Sequence, residues 1–480
     1  MKRRSLKSIA LNISLVCAAL LIGTVLGLLQ VKPPRVNNNS DMHPAYLRML
    51  DNIRDYAARP HPNGSDEIGR VRAAILSELE GMGASPVVEA EEMTELEYID
   101  SIVRLDYGMP LEEWWALNGA ALADAGINTP EENFTVPFEG HESITLHNIL
   151  VKLDAPGTES AVMFVAHYDS TADGPGAADD MVSVCAMLEA VRAQAADTAP
   201  KSDLYFLFTD GEEDGLLGAR KFVRAHPELR ENVGLVVNLE ARGNRGALLL
   251  FETSSESYGP VQLALRAGAK PIGTSFAAAV YAMMPNYTDL TAFLDDGYAG
   301  INFAAIEGVE TYHMPSDSFE NLDENTAWQY LTTVNAIAEF ASQSPPDEMR
   351  YEQGKAVYFP FLPGVLVFIP LYLSHVLCGA ACAAAVAAAL YLIKRGKLKV
   401  SPLTVTMGIL VLLSIGAAIF FPLGAYLFYI PLLAAALTAF MTVKSVLRAC
   451  ARMAAGVAVL LVWIPVLFLL WVSMIQPMML

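Results

Sequence analysis

All 52 acidic side chains of this chain lie between residues 31 and 355, and the segments on either side hold none. Residues 1–30 carry Lys2, Arg3, Arg4 and Lys7 as their only formal charges, and residues 356–480 carry Lys394, Arg395, Lys397, Lys399, Lys444, Arg448 and Arg452. The middle block therefore sets 21 bases against 52 acids, a formal charge of −31 inside a chain of −20. Hydrophobic residues make up 53% of the whole, which excludes intrinsic disorder and a wholly soluble enzyme. A block of −31 repels phosphate, so no nucleic-acid partner is expected. Three regions follow: 1–30, 31–355 and 356–480.

Ile9 to Leu29 is a 21-residue run interrupted by Asn12, Ser14 and Thr24 and preceded by four positive charges. That length crosses a hydrocarbon core of about 30 Å. A cleavable signal peptide has a shorter apolar core and a small-residue cleavage site, and none stands out before Lys32-Pro33-Pro34. An uncleaved anchor is expected, with its basic flank in the cytoplasm and everything after Leu29 outside it. Ala356 to Ile393 is 38 residues with no formal charge, long for one span and short for two. A single span at Pro370–Ile393 puts Lys394-Arg395-Gly396-Lys397-Leu398-Lys399 inside, as the positive-inside rule favours, and leaves Ala356–Ile369 as an interfacial or domain-packed segment. Further spans are expected at Pro402–Phe421, Leu423–Met441 and Met453–Ile475. Membrane lipid is thus an expected partner, and the location is a multi-pass protein of a bacterial plasma membrane, or of an organelle membrane with the acidic block in its lumen. Asn38-Asn39-Ser40, Asn133-Phe134-Thr135 and Asn286-Tyr287-Thr288 are glycosylation sequons with meaning only in the second case. No Asp, Glu, Lys or Arg falls within an expected span, unlike an ion-coupled transporter.

Cys17, Cys378, Cys382 and Cys450 lie in or beside the apolar ends, leaving Cys185 alone in the acidic block. One thiol makes no internal bridge, so the block depends on its core and on any bound metal.

Within residues 145–345, short runs rich in Val, Phe and Leu read as buried strands: Ala161–Ala166, Leu204–Phe208, Leu235–Leu239, Ala247–Phe251 and Ile301–Ile306. Helical patterns at 181–196, 216–226, 258–268 and 324–342 alternate with them. The fold class is therefore α/β, a mostly parallel mixed sheet flanked by helices. Open sheets of this kind bind ligands at the carboxyl ends of their strands. There the chain places His167-Tyr168-Asp169-Ser170, then Thr209-Asp210-Gly211-Glu212-Glu213-Asp214, then Glu240, and finally Tyr312-His313 after the last strand. Gly174-Pro175-Gly176-Ala177-Ala178-Asp179-Asp180 forms a turn that feeds a helix. Zn²⁺ accepts imidazole nitrogen and carboxylate oxygen, and a two-metal site needs two ligands per ion plus a shared carboxylate. His167, Asp179, Glu213, Glu240 and His313 supply that inventory. Each alone has a structural explanation: a satisfied strand-end His, an Asp-Asp N-cap, a Glu-Glu pair at a helix start. Glu240, ending an apolar strand, is the hardest to explain without a partner.

AHYDS, PGAADD, FTDGEEDGLLGARKF, NLEARGNRG and YHMPSDSFENLD, in that order, resemble the motifs of the di-zinc aminopeptidase family, peptidase family twenty-eight. RPHPNGS at Arg59–Ser65 and AVYF at Ala356–Phe359 look more like its membrane-bound branch, which includes endoplasmic-reticulum metallopeptidases and vacuolar membrane proteases. The resemblance covers about residues 40–360. It implies two Zn²⁺, with Asp179 bridging, His167 and Glu240 completing one site, and Glu213 and His313 the other. It further implies Glu212 as general base, Asp169 orienting His167, and Tyr312 stabilising an oxyanion. Glu212 is also apt on chemical grounds: its side chain diverges from that of its neighbour Glu213 and could move a proton between water and a leaving amine. Met181-Val182-Ser183 follows the Asp pair where the family commonly has Gly-Ser-Gly, which puts substrate preference in doubt. Glu240 stands where many soluble members have Asp, in keeping with the membrane branch.

The expected activity is a membrane-anchored, zinc-dependent exopeptidase removing N-terminal residues from peptide substrates. A non-catalytic receptor or assembly factor on the same fold, and a glutaminyl-cyclase-like enzyme, are the alternatives. A serine hydrolase is disfavoured by the lack of any Gly-x-Ser-x-Gly.

Overall fold

The structure is a computed structural model, and it describes residues 32–134, 143–157, 160–196, 200–284, 286–344, 354–362 and 364–377, with 380, 391 and 394 singly. The expected spans at 9–29, 402–421, 423–441 and 453–475 lie outside the described residues, as does most of 370–393. Among the described residues no helix is long and apolar enough to cross a membrane.

Seven strands form one sheet in the order β1-β2-β4-β3-β5-β7-β6. They are β1 Val87–Thr94, β2 Ser143–Leu153, β3 Ala161–His167, β4 Asp203–Thr209, β5 Val233–Ala241, β6 Arg245–Thr253 and β7 Gly300–Glu307. The four central strands, β4, β3, β5 and β7, run parallel, whereas β1, β2 and β6 pair antiparallel at the edges. Every residue of β3 and β4 is buried, which is why these strands read as unbroken apolar runs rather than alternating ones. Neither β1 nor β2 was among the expected strands: the VVEAEEMT pattern of β1 is mostly solvent-facing, and β2 buries only part of its SITLHNILVKL run, so both carry little hydrophobic signal.

Helices cover both faces. On one, Met163, Val165, Leu207 and Val236 pack against Phe222 and Val223 of a helix at Leu217–Ala225, and against Leu290 and Phe293 of one at Asp289–Asp295. The opposite side chains include the stacked pair Phe164 and Phe206, centroids 5.1 Å apart. Val182–Ala195 and Glu324–Gln343 are the long helices that follow the site's two loops. The first is buried along its whole length from Val182 to Val191. Burying ten consecutive residues includes Glu189, whose carboxylate is met by Arg48 and Arg192.

Residues 273–280 and the described part of 356 onward form a second compact unit. There Ala356–Leu362 and Val365–Pro370 pair as an antiparallel hairpin, and helix resumes at Leu371. The segment expected to be interfacial is thus β-structure. Its Tyr358 is buried, and the Tyr358 backbone N–H donates to Ser275 Oγ at 3.3 Å.

Candidate metal centre

The chain leaves β3 to form β4 on one side, then crosses to form β5 on the other. The carboxyl ends of β3 and β5 therefore flank the switch point where open α/β sheets leave a crevice. Parallel register pairs Val165 with Asn238, so two residues further on His167 is level with Glu240. Alternation along a strand puts both on the same face, and His167 Nε2 lies 3.8 Å from Glu240 Oε2. Tyr330 of the Glu324–Gln343 helix donates its hydroxyl to the Glu240 carbonyl and accepts from Ala305 N–H, fixing the end of β5.

Asp179 enters from the loop after β3. Gly176 has φ +66°, and a Cβ there would stand 2.5 Å from the Asp179 carbonyl; one on Gly174 would stand 2.7 Å from the Met314 carbonyl. Only glycines allow that approach. Ala177–Met181 makes a single wide turn containing a cis Asp179–Asp180 bond. The Asp pair does not cap the following helix: the N-cap is Met181, with no side-chain hydrogen bond. Asp317 holds the turn instead, accepting from Ala178 N–H at 2.9 Å and Asp179 N–H at 3.1 Å.

The resulting geometry is two-sided. Asp179 Oδ1 lies 3.3 Å from His167 Nε2, and Asp179 Oδ2 lies 3.6 Å from His313 Nε2, which in turn is 2.9 Å from Glu213 Oε2. His167, Asp179 and Glu240 form one triad and Asp179, Glu213 and His313 another, the donor atoms in each lying within 4.8 Å of one another. Ligand atoms about 2.0–2.1 Å from a tetrahedral zinc stand roughly 3.3 Å apart, close to these separations. Glu240 Oε1 is buried with no hydrogen-bond partner, a costly state for a polar atom that a cation removes. The donor set of imidazoles and carboxylates suits zinc. The residues present fit the metal.

Electrostatics agrees. Burial pushes the carboxyls of Glu240 and Glu212 well above the ordinary range, and neighbouring carboxylates add to the shift. Burial and Asp179 lift Glu213 to about 7. Burial alone would lower His167, but Asp169 and Asp179 outweigh it and raise the imidazole well above its usual value. Such a concentration of buried acids is short of positive charge.

Asp169 does more than orient His167. Its backbone carbonyl lies 3.0 Å from His167 Nδ1; a carbonyl only accepts, so Nδ1 carries the proton and Nε2 is free to act as a ligand. Its carboxylate accepts from Glu212 N–H at 3.1 Å and Glu213 N–H at 3.2 Å. One fully buried residue thus ties the first histidine to the Glu-Glu turn, and those two glutamates do not begin a helix, which starts at Leu217. Tyr312 stacks on His313 with centroids 3.7 Å apart, and the Arg242 guanidinium lies 4.8 Å from the Tyr312 ring centroid on its face. His313 itself has φ +57°, a left-handed conformation uncommon outside glycine. The RPHPNGS segment lies beside the β3 end: His61 N–H donates to Ser170 Oγ and Asn63 Nδ2 to Asp210 Oδ1.

All eight candidate residues therefore come to one rim. Asp317, Tyr330 and Arg242 were not singled out from sequence. For Asp317 a weak signal existed, its place four residues after His313 in a resembling motif; for Tyr330, inside an ordinary helical pattern, there was none.

Residues 148–338 match the family model described as Peptidase family M28. Endoplasmic reticulum metallopeptidase 1 of Mus musculus is 32% identical over 253 residues, which is 50% of this chain and 28% of that protein. Vacuolar membrane protease of Yarrowia lipolytica is 28% identical over 322 residues, 65% of this chain and 29% of that protein. The chain thus matches less than a third of the length of either relative. Among solved structures, the aminopeptidase from Aneurinibacillus sp. strain AM-1 and the Fimbriiglobus ruber glutaminyl cyclase each align at 14% identity with a TM-score of 0.45. They cover 65% of this chain and 96% and 97% of their own. At that level neither says which reaction this chain performs.

Proposed function

We propose that this chain, whose residues 148–338 match the peptidase family M28 model, is a membrane-held zinc exopeptidase that removes N-terminal residues from peptides. The observation that carries the proposal is Asp179 turning one carboxylate oxygen toward each of two ligand triads. His167 and Glu240 would hold one Zn²⁺, Glu213 and His313 the other, with Asp179 between them. Zinc bound there supplies Lewis acidity toward a peptide carbonyl and toward water. Glu212, half-buried beside both triads, takes a proton from the attacking water and returns it to the departing amine. Asp169 holds the Glu212 backbone so that its carboxylate keeps that reach. The Tyr312 hydroxyl donates to the oxygen on which charge develops.

Membrane attachment is supported by the two apolar, acid-free ends of the sequence and by the names of the relatives. In this reading residues 1–30 anchor the chain, 31–355 form the extracytoplasmic peptidase block, and 356–480 add about four spans.

The test uses the full chain in detergent. Two equivalents of zinc and chelator-sensitive release of free amino acids are expected. Full activity in both Glu212→Gln and Glu213→Gln would overturn the proposal. Mass spectrometry separates loss of a whole residue from the loss of ammonia that a cyclase would give on an N-terminal Gln peptide.

A further inference from the structure

Arg242 is a cation on an acidic rim, and among the described residues little of its hydrogen-bonding capacity is used. It follows Glu240 by two residues at the end of β5 and is half-buried. Its Nη2 donates to Asn286 Oδ1 at 3.1 Å. Among the described residues no carboxylate comes within ion-pair distance of it, although Asp179 and Glu240 are near enough for their charges to act on it. A guanidinium has five N–H donors in a planar fork, matched to a carboxylate. Asn286 and the Tyr312 ring fix its plane, and among the described residues no other side chain hydrogen-bonds to the fork.

Position gives the fork a use. The guanidinium carbon is 4.8 Å from the Tyr312 centroid, which is 3.7 Å from that of His313. It is therefore no more than roughly 8.5 Å from the imidazole that faces Asp179, little more than two residue spacings of about 3.8 Å. A group that close to the centre meets the residue next to the bond being cut. Beside the two imidazoles and Tyr312, the ionisable groups of the rim are the carboxylates of Asp169, Asp179, Glu212, Glu213 and Glu240, so one guanidinium gives the site a side that favours a substrate carboxylate while the free acids favour an ammonium.

We propose that Arg242 receives a substrate carboxylate beside the scissile bond, so that the centre favours dipeptides and other short peptides with a C-terminal carboxylate or an acidic side chain next to that bond. This rests on the peptidase reading and adds the substrate class to it.

The experiment compares Leu-Gly, Leu-Gly amide and Leu-Glu amide on the full zinc-loaded chain in detergent, for wild type, Arg242→Lys and Arg242→Met. Zinc content and Tm are measured for each variant. Charge-assisted hydrogen bonds imply a kcat/KM for Leu-Gly about 10- to 100-fold above that of its amide, expressed mainly in KM. That ratio is expected to collapse in Arg242→Met and to survive in part in Arg242→Lys. Leu-Glu amide matching Leu-Gly assigns the preference to a side-chain carboxylate; Leu-Glu amide behaving as Leu-Gly amide assigns it to the C-terminus. Either supports the proposal. Equal wild-type values for all three peptides would overturn it, as would an equal drop on acid and amide in Arg242→Met, which would make Arg242 a positioning residue for Tyr312. Should no peptide be cleaved, the peptidase reading fails separately, and calorimetric binding of the same peptides decides. Tighter binding of the acids that is lost in Arg242→Met supports the carboxylate site; equal binding or none overturns it.

Discussion

The two triads that share Asp179 are built differently. His167 and Glu240 stand on adjacent parallel strands and are 1% and 7% exposed. Glu213 and His313 stand on loops, and the His313 side chain is 38% exposed and reached through a left-handed backbone. A ligand on a central strand is held by the ladder on both sides, whereas one on a loop is held by a few hydrogen bonds and a stacked tyrosine. The first triad is the rigid half and the second the yielding half. Metal should bind more tightly and exchange more slowly in the strand-borne half.

Asp179→Asn attacks what the halves share, and has the largest expected effect: activity falls on the order of 10³-fold or more, and bound zinc drops by at least one equivalent. Near-normal activity with two zincs would show that the triads do not work through a common carboxylate. Glu212→Gln should lower kcat by about 10²- to 10⁴-fold with zinc content unchanged, separating chemistry from ligation. The comparison itself is tested by His167→Ala against His313→Ala. Each should cost one zinc, but only the first should lower Tm substantially, because it opens a void and leaves buried acids unpaired, a loss of about 2–4 kcal/mol; equal Tm losses would break the rigid-and-yielding distinction. Asp317→Ala, which removes the acceptor of two buried N–H groups, should cost about 1–3 kcal/mol and slow turnover without altering the ligand set.

The smallest effect expected is in pH dependence. Burial and neighbouring carboxylates raise Glu213 to about 7 and Asp289 and Asp317 to about 6. The native metal-free protein then holds protons that the unfolded chain has released. The contribution of these three groups to stability is fully present below about pH 4, where unfolded carboxyls titrate, and is lost as pH rises through 6 to 7. Zinc reverses the trend, since ligands bind it deprotonated. Thermal melts from pH 4 to 8, with zinc and with chelator, should diverge as pH increases. Parallel curves would remove the acid crowding from the account.

Much of the strand-borne half was legible in the sequence. β3, β4 and β5 announced themselves as apolar runs because central parallel strands are buried on both faces, and a carboxylate such as Glu240 at the end of such a run is hard to explain without a partner. β1 and β2 were harder to read than the other edge strand, β6: β1 is largely exposed, and its pairing with β2 runs from Thr94 opposite Ser143 to Val87 opposite Leu150, a long-range match that no local period encodes. In the loop-borne half the donor types Glu213 and His313 were legible after the strand ends, but their grouping into one triad came only from motif resemblance. Nothing local says that His313 adopts φ +57° or that Asp317 reaches back to the Asp179 turn.

What the sequence by itself determined is the division of the chain into acid-free apolar ends and an acidic block, the central strands, and the order in which donor residues reach the strand ends. Burial period and residue type are local properties, so they can be read from a line of residues. Which oxygen of Asp179 faces which triad, that Asp169 serves both His167 and the Glu-Glu turn, and that Arg242 lies on Tyr312 with its fork open were decided by tertiary structure alone. Those contacts join segments tens of residues apart, and they exist only once the sheet has closed and its side chains have been confined to single rotamers by their neighbours.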